Sequence, residues 1–123
     1  MKSILHIAAV LLLTGGLLFP LPARAAGNPP LPRLVDLGAD KCIPCRMMAP
    51  ILEELKATCA GKLQVDFIDV WKHQEQAEPY GVRMIPTQIF YSPEGKELFR
   101  HQGFISREDI LGKWRELGYD FSN

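Results

Sequence analysis

Cys42 and Cys45 are separated by only Ile43 and Pro44. The pair is too close for an ordinary loop staple, and its spacing fits either redox chemistry or half of a metal site. It also limits what can surround it. Upstream, Arg33 to Gly38 is a short, mostly apolar run closed by glycine, as expected for a buried strand. Downstream, Met48, Ile51, Leu52, Leu55 and Cys59 fall in a stripe at helical spacing, with Gly61 as a suitable terminator. The two thiols therefore sit at the first turn of a helix that follows a strand. Pro44 is tolerated there because the first turn does not use its missing N–H, while Pro50, further in, is expected to kink the helix.

The remaining chain supplies one small domain. Leu63 to Val70 reads as a second strand, and a strand, helix and strand in succession form a right-handed unit with parallel strands. A short helix from about His73 to Tyr80 is limited by Pro79 and Gly81. Thr87 to Tyr91 and Lys96 to Arg100 form an antiparallel hairpin around Ser92-Pro93-Glu94-Gly95, whose Pro and Gly suit a type I turn. Ser106 then caps a last helix with acidic residues in its first turn, an apolar face of Ile110, Leu111, Trp114 and Leu117, and Gly118 at its end. The order is β-α-β-α-β-β-α, an α/β fold with a mixed central sheet and helices on both faces. Residues 26–32 hold three prolines and no periodicity, so they read as an extended entry to a domain over 33–123.

Residues 1–25 have a different character. Lys2 precedes an apolar core from Ile4 to Phe19, which Pro20 and Pro22 end just before Ala23-Arg24-Ala25. A charged start, an apolar core and a small-x-small site describe a signal peptide, and cleavage is expected after Ala25. The alternative is an uncleaved membrane anchor, since the run is near the lower length limit for a spanning helix. Either way the folded part leaves the cytoplasm, to the periplasm or the exterior. Without Lys2 and Arg24, the 14 basic residues fall to 12 against 14 acidic ones, and no basic stripe suggests nucleic acid.

At the start of a helix, free backbone N–H groups and the positive end of the dipole favour a thiolate at Cys42, which makes it the nucleophile. It would form a mixed disulfide with a substrate, and Cys45, further in and less exposed, would resolve it. The metal alternative needs four ligands, and Cys59, His73 and His101 supply no second close pair, so no metal is assigned. Cys59 lies fourteen residues beyond Cys45, about 21 Å along a helix, and on the apolar stripe it reads as a core thiol. Trp71 and Trp114 are read as packing residues.

Taken together, a strand, Cys42-Ile43-Pro44-Cys45 at the start of a helix containing Pro50, and the stretch Tyr80-Gly81-Val82-Arg83-Met84-Ile85-Pro86-Thr87 before a hairpin resemble the thioredoxin family, over about Arg33 to Trp114. The resemblance implies a minimal thioredoxin fold and makes Cys42 and Cys45 the active-site pair. It implies that Pro86 is cis and lies against the two cysteines, with the backbone of Ile85 pairing with substrate. It places Asp36, six residues before Cys42, where the family carries a buried aspartate that assists proton transfer to the resolving cysteine. A carboxylate buried between Val35 and Leu37 would have a raised pKa, whereas the residues without the resemblance favour a solvated strand end.

Departures from the family pattern concern the tuning of the site. Lys41 replaces the usual Trp and Ile43 the usual Gly, beside the unchanged Pro44. A lysine next to Cys42 would favour its thiolate and make the pair more oxidising, or be a solvated charge of little influence. The family's first strand and helix have no counterpart between the leader and Arg33. Nor does the stretch from the second strand to Pro86 hold an insertion like that of the exported cytochrome c maturation thioredoxins. The function expected is dithiol–disulfide exchange on exported proteins by a monomer with no cofactor beyond the Cys42–Cys45 disulfide. The favoured direction is reduction, which needs a membrane electron-donor protein because the cell exterior supplies no cytosolic reductant. A disulfide oxidase or isomerase, and a metal-binding or partner-docking module on the same scaffold, are the alternatives.

Overall fold

A computed structural model describes residues 27–122. The expected leader over 1–25 and its cleavage site lie outside them. The elements are β1 (Arg33–Gly38), α1 (Ile43–Thr58), β2 (Gln64–Asp69), α2 (Gln74–Ala77) with a 3-10 turn (Glu78–Tyr80), β3 (Thr87–Tyr91), β4 (Glu97–Gln102) and α3 (Arg107–Glu116). The sheet order is β2-β1-β3-β4, with β1 parallel to β2 and the other neighbours antiparallel. This is the mixed sheet of a thioredoxin fold.

β1 is buried on both faces because each face is covered by helix. On one face Leu34 joins Met48, Leu52 and Leu55 of α1, Phe90 of β3, and Ile110 and Trp114 of α3. On the other, Val35 and Leu37 meet Ile68 and Ile89, with Ala77 of α2 and the half-buried Tyr80 and Val82 over them. Trp114 is fully buried, and Phe90, Tyr119 and Phe121 have ring centroids 4.9, 5.4 and 5.6 Å from it. Its packing role agrees with the sequence. Trp71 differs: it is 57 % exposed. β2 ends at Asp69, so Trp71 lies in the turn beyond the sheet, where its backbone N–H is bound by the Asp69 carboxylate and its ring is left outside the core.

Other boundaries shift by a residue or two. The expected helix over 73–80 divides in two, with Pro79 in the first positions of the 3-10 turn and Gly81 closing it at φ +60°. The hairpin's second strand runs to Gln102 rather than Arg100, and its pairing with β3 shifts between Phe90 and Tyr91. At α3 the Ser106 hydroxyl accepts the Asp109 N–H at 3.1 Å, as a cap should.

Candidate active site

The first turn of α1 is built around the two cysteines. Cys42 is the N-cap, with extended backbone, and its sulfur accepts the Cys45 N–H at 3.4 Å. Serine, threonine, aspartate or asparagine normally satisfies that orphan donor. Here a sulfur takes the place, so the helix end directs a backbone N–H at Cys42 Sγ. Ile43 and Pro44 follow in the first turn, and Ile43 is 73 % exposed. Cys45 turns inward and is 4 % exposed. The two sulfurs are joined in a disulfide across three residues of sequence. One cysteine is therefore half-buried at the helix end, the other in the core.

The approach to Cys42 is held by Asp69. Its carboxylate accepts N–H groups from Trp71 and Lys72 at 2.9 and 3.0 Å, and from Asp40 at 3.3 Å, tying the loop after β1 to the end of β2. Lys72 also pairs with the Asp40 carboxylate. A further turn bond runs from Cys42 N–H to the Ala39 carbonyl. Lys41, in this turn, is exposed.

Gly38, which reads in the sequence as a strand terminator, has a second purpose. A Cβ at this position would stand 3.2 Å from Cys45 Cβ, 3.3 Å from Cys45 Sγ and 3.1 Å from the Phe67 ring. The absent side chain lets α1 lie directly on the end of β1. Gly38→Ala is expected to cost about 1–3 kcal/mol through this crowding, read as a lower midpoint in urea unfolding of the oxidised protein. An unchanged midpoint would mean the helix end can shift freely.

Asp36 is on the same face of β1 as Gly38, two residues back along a strand whose side chains alternate. It is fully buried. Gln88 Nε2 donates to Asp36 Oδ1 at 2.7 Å, and Asp36 Oδ2 has no hydrogen-bond partner. Burial pushes the Asp36 carboxyl up to about 6, and the Gln88 hydrogen bond offsets only part of that. No local pattern marks Gln88, which reads as an ordinary polar residue in an alternating strand. Only the β1–β3 register, which sets Asp36 directly beside it, shows its position.

The Ile85–Pro86 peptide bond is cis. Thr87 lies level with Leu37 in the antiparallel pairing, so Pro86 precedes β3 at the end of the sheet where Gly38 meets Cys45. Pro86 and Thr87 are buried, the Thr87 hydroxyl donates to the Met84 carbonyl at 2.6 Å, and Gly103 N–H donates to the Pro86 carbonyl at 2.7 Å. Ile85 is half-buried, at the border of an open groove of about 450 Å³ lined also by Trp71, Met84 and Val82. Trp71 and Met84 are both more than half exposed. Cys59 is a buried free thiol in the core at the far end of α1. Among the described residues, no three His, Cys, Asp or Glu side chains are grouped to hold a metal ion.

Comparison with known proteins agrees with this geometry. A family model described as thioredoxin matches residues 28–116. A thioredoxin of Bacillus subtilis is 41% identical over 77 residues, 63% of this chain and 73% of that protein. Thioredoxins of Chlamydia caviae and Staphylococcus aureus are 36% and 38% identical over 78 residues, in each case 63% of this chain and 74% of the relative.

Proposed function

The chain belongs to the thioredoxin family and is a thiol–disulfide oxidoreductase, and from that premise we propose that it reduces disulfides of exported proteins through Cys42 and Cys45. The observation that carries the reading is the division of labour within one disulfide, between an N-cap sulfur and a buried sulfur one turn further in. In the reduced enzyme the Cys42 thiolate attacks a substrate disulfide. One substrate sulfur leaves and the other is held as a mixed disulfide. Cys45 loses its proton to Asp36, attacks Cys42 Sγ, and releases the second substrate thiol. Two electrons pass from the enzyme dithiol to the substrate disulfide.

The other site residues have assigned parts in this reading. Ile85 offers its backbone to an extended substrate segment beside Pro86, and the open groove with Trp71 and Met84 takes apolar side chains. Lys41, Ile43 and Pro44 adjust the stability of the Cys42 thiolate and hence the potential. Export rests on the apolar leader with its Ala23-Arg24-Ala25 site. Outside the cytoplasm, re-reduction falls to a membrane dithiol protein, and the enzyme works as a monomer with no cofactor beyond its own disulfide.

The reduction potential of the Cys42/Cys45 pair tests the direction. A value near about −270 mV, as for a cytosolic reductant, is expected; one near about −120 mV, as for a strong periplasmic oxidant, would overturn it and favour the oxidase reading. Equilibration with a dithiothreitol redox buffer provides the measurement.

A further inference from the structure

Among the described residues, Gln88 is the one buried side-chain amide beside the site, and the exchange reaction does not use it. We propose that Gln88 is a positioning residue for the proton step: it fixes Oδ1 of Asp36, so that Oδ2 is the oxygen that takes the proton of Cys45. The inference rests on the exchange reaction proposed for Cys42 and Cys45.

Gln88 and Asp36 are both fully buried and directly opposed across β1 and β3. They share one bond, Nε2 to Oδ1 at 2.7 Å, and each retains a buried oxygen without a partner, Asp36 Oδ2 and Gln88 Oε1. Native proteins rarely leave such atoms unpaired, because their lost hydration is not replaced. An apolar residue at 88 would have avoided that cost next to Phe90 and Ile89. What the amide gains is orientation. With Oδ1 occupied by a donor that cannot leave without breaking a buried bond, the carboxyl cannot rotate freely, and its proton-accepting oxygen is fixed.

The register places this pair in a cross-strand row, since directly opposed residues share a face. From β2 to β4 the row reads Phe67, Asp36, Gln88, His101. Asp36 is thus flanked in its row by Phe67 from β2, with Asp69 further along that strand, and by Gln88 from β3, while Cys45 of α1 lies against Gly38, two residues along the same face of β1. α3 turns Ile110 and Trp114 toward this face. His101, beyond Gln88, is half-buried and bonds the Phe104 carbonyl at 3.1 Å. It is the other titratable member of the row and the control in the test.

The step balances between Cys45 and the mixed disulfide that Cys42 forms with substrate. The S–H bond of Cys45 breaks and an O–H bond forms at Asp36 Oδ2. The Cys45 sulfur bonds to Cys42 Sγ as the Cys42–substrate bond breaks, and the departing substrate thiolate takes up a proton.

Reaction of the reduced enzyme with dithiobis-nitrobenzoate separates the two sulfurs. The first nitrothiobenzoate released reports attack by Cys42, the second its displacement by Cys45. Gln88→Met keeps the length of the side chain and removes the amide. The second release is expected to slow about tenfold at neutral pH and its pH midpoint to rise by about one unit, while the first stays within about twofold. In an Asp36→Asn background Gln88→Met should change nothing further, and His101→Gln should leave the wild-type midpoint in place. An unchanged second phase in a folded Gln88→Met variant overturns the proposal, as does an equal shift from His101→Gln. A second measurement needs no variant: in the reduced wild type, the Gln88 side-chain amide protons should titrate in NMR with the midpoint of the second phase. A flat response overturns the proposal. A wild type that never releases the second equivalent removes the exchange reaction itself, and the role of Gln88 with it.

Discussion

With Cys42 replaced by serine, reduction of insulin by dithiothreitol is expected to fall to the uncatalysed rate, and with Cys45 replaced by serine to fall almost as far for a different reason. The first variant has no accessible nucleophile, because the remaining cysteine of the pair, Cys45, is 4 % exposed and turns into the core from the first turn of α1. The second keeps the N-cap sulfur and the N–H of residue 45 that points at it. It can open a substrate disulfide and then cannot release it. Cys45→Ser should therefore accumulate mixed disulfides on Cys42, visible as slow-migrating bands on a non-reducing gel that collapse with reductant. Their identification would name the physiological substrates. Wild-type turnover in Cys42→Ser would remove the enzyme reading, and an absence of adducts in Cys45→Ser would remove the order of the two sulfurs.

The second large effect concerns Asp36. Its carboxyl titrates at about 6 in the fold, against an ordinary value of 3.8, because burial disfavours the charge. Below about pH 4 the group is protonated whether the chain is folded or not, and burial has no ionisation penalty. Between these values the folded chain binds the extra proton, so stability falls as pH rises through the window. Above about 6 the penalty is complete, on the order of 3 kcal/mol at 1.36 kcal/mol per unit. Asp36→Asn should remove it. The variant is expected to be more stable than wild type by up to about 3 kcal/mol at pH 8 and by little at pH 4, measured by urea unfolding across that range. Its resolution step should slow by about a hundredfold, the scale of a lost general base. A difference in stability that does not change with pH would contradict the buried titration. On the proposed proton-transfer role, the residue trades stability for chemistry.

Much of this was readable in the chain because the signals are local. The apolar run of β1, the Ser106 cap and the Pro93–Gly95 turn each act over a few residues, and each appears where expected. The helix stripe was clear from Met48, but the turn before it carries exposed Ile43, Pro44, Arg46 and Met47, so only the cysteine spacing marked its true start. The exposure of Trp71 has no local signal, because bulk alone does not tell whether a turn folds a ring inward. Gln88 and the second purpose of Gly38 depend on pairing across 52 residues and on the docking of α1, which no local pattern encodes.

The alternation along β1 has a consequence for fidelity. Leu34, Asp36 and Gly38 face α1, while Val35 and Leu37 face the opposite cluster. A slip of one residue in its pairing would exchange the two sets. Val35 and Leu37 would then lie under the cysteines, and the carboxyl would be driven into an apolar cluster with no amide beside it. The misfolded strand would lose both core and chemistry at once. Selection against a faulty site and selection against a faulty core are, on this strand, the same selection, and the apolar neighbours of Asp36 act as its alignment marks.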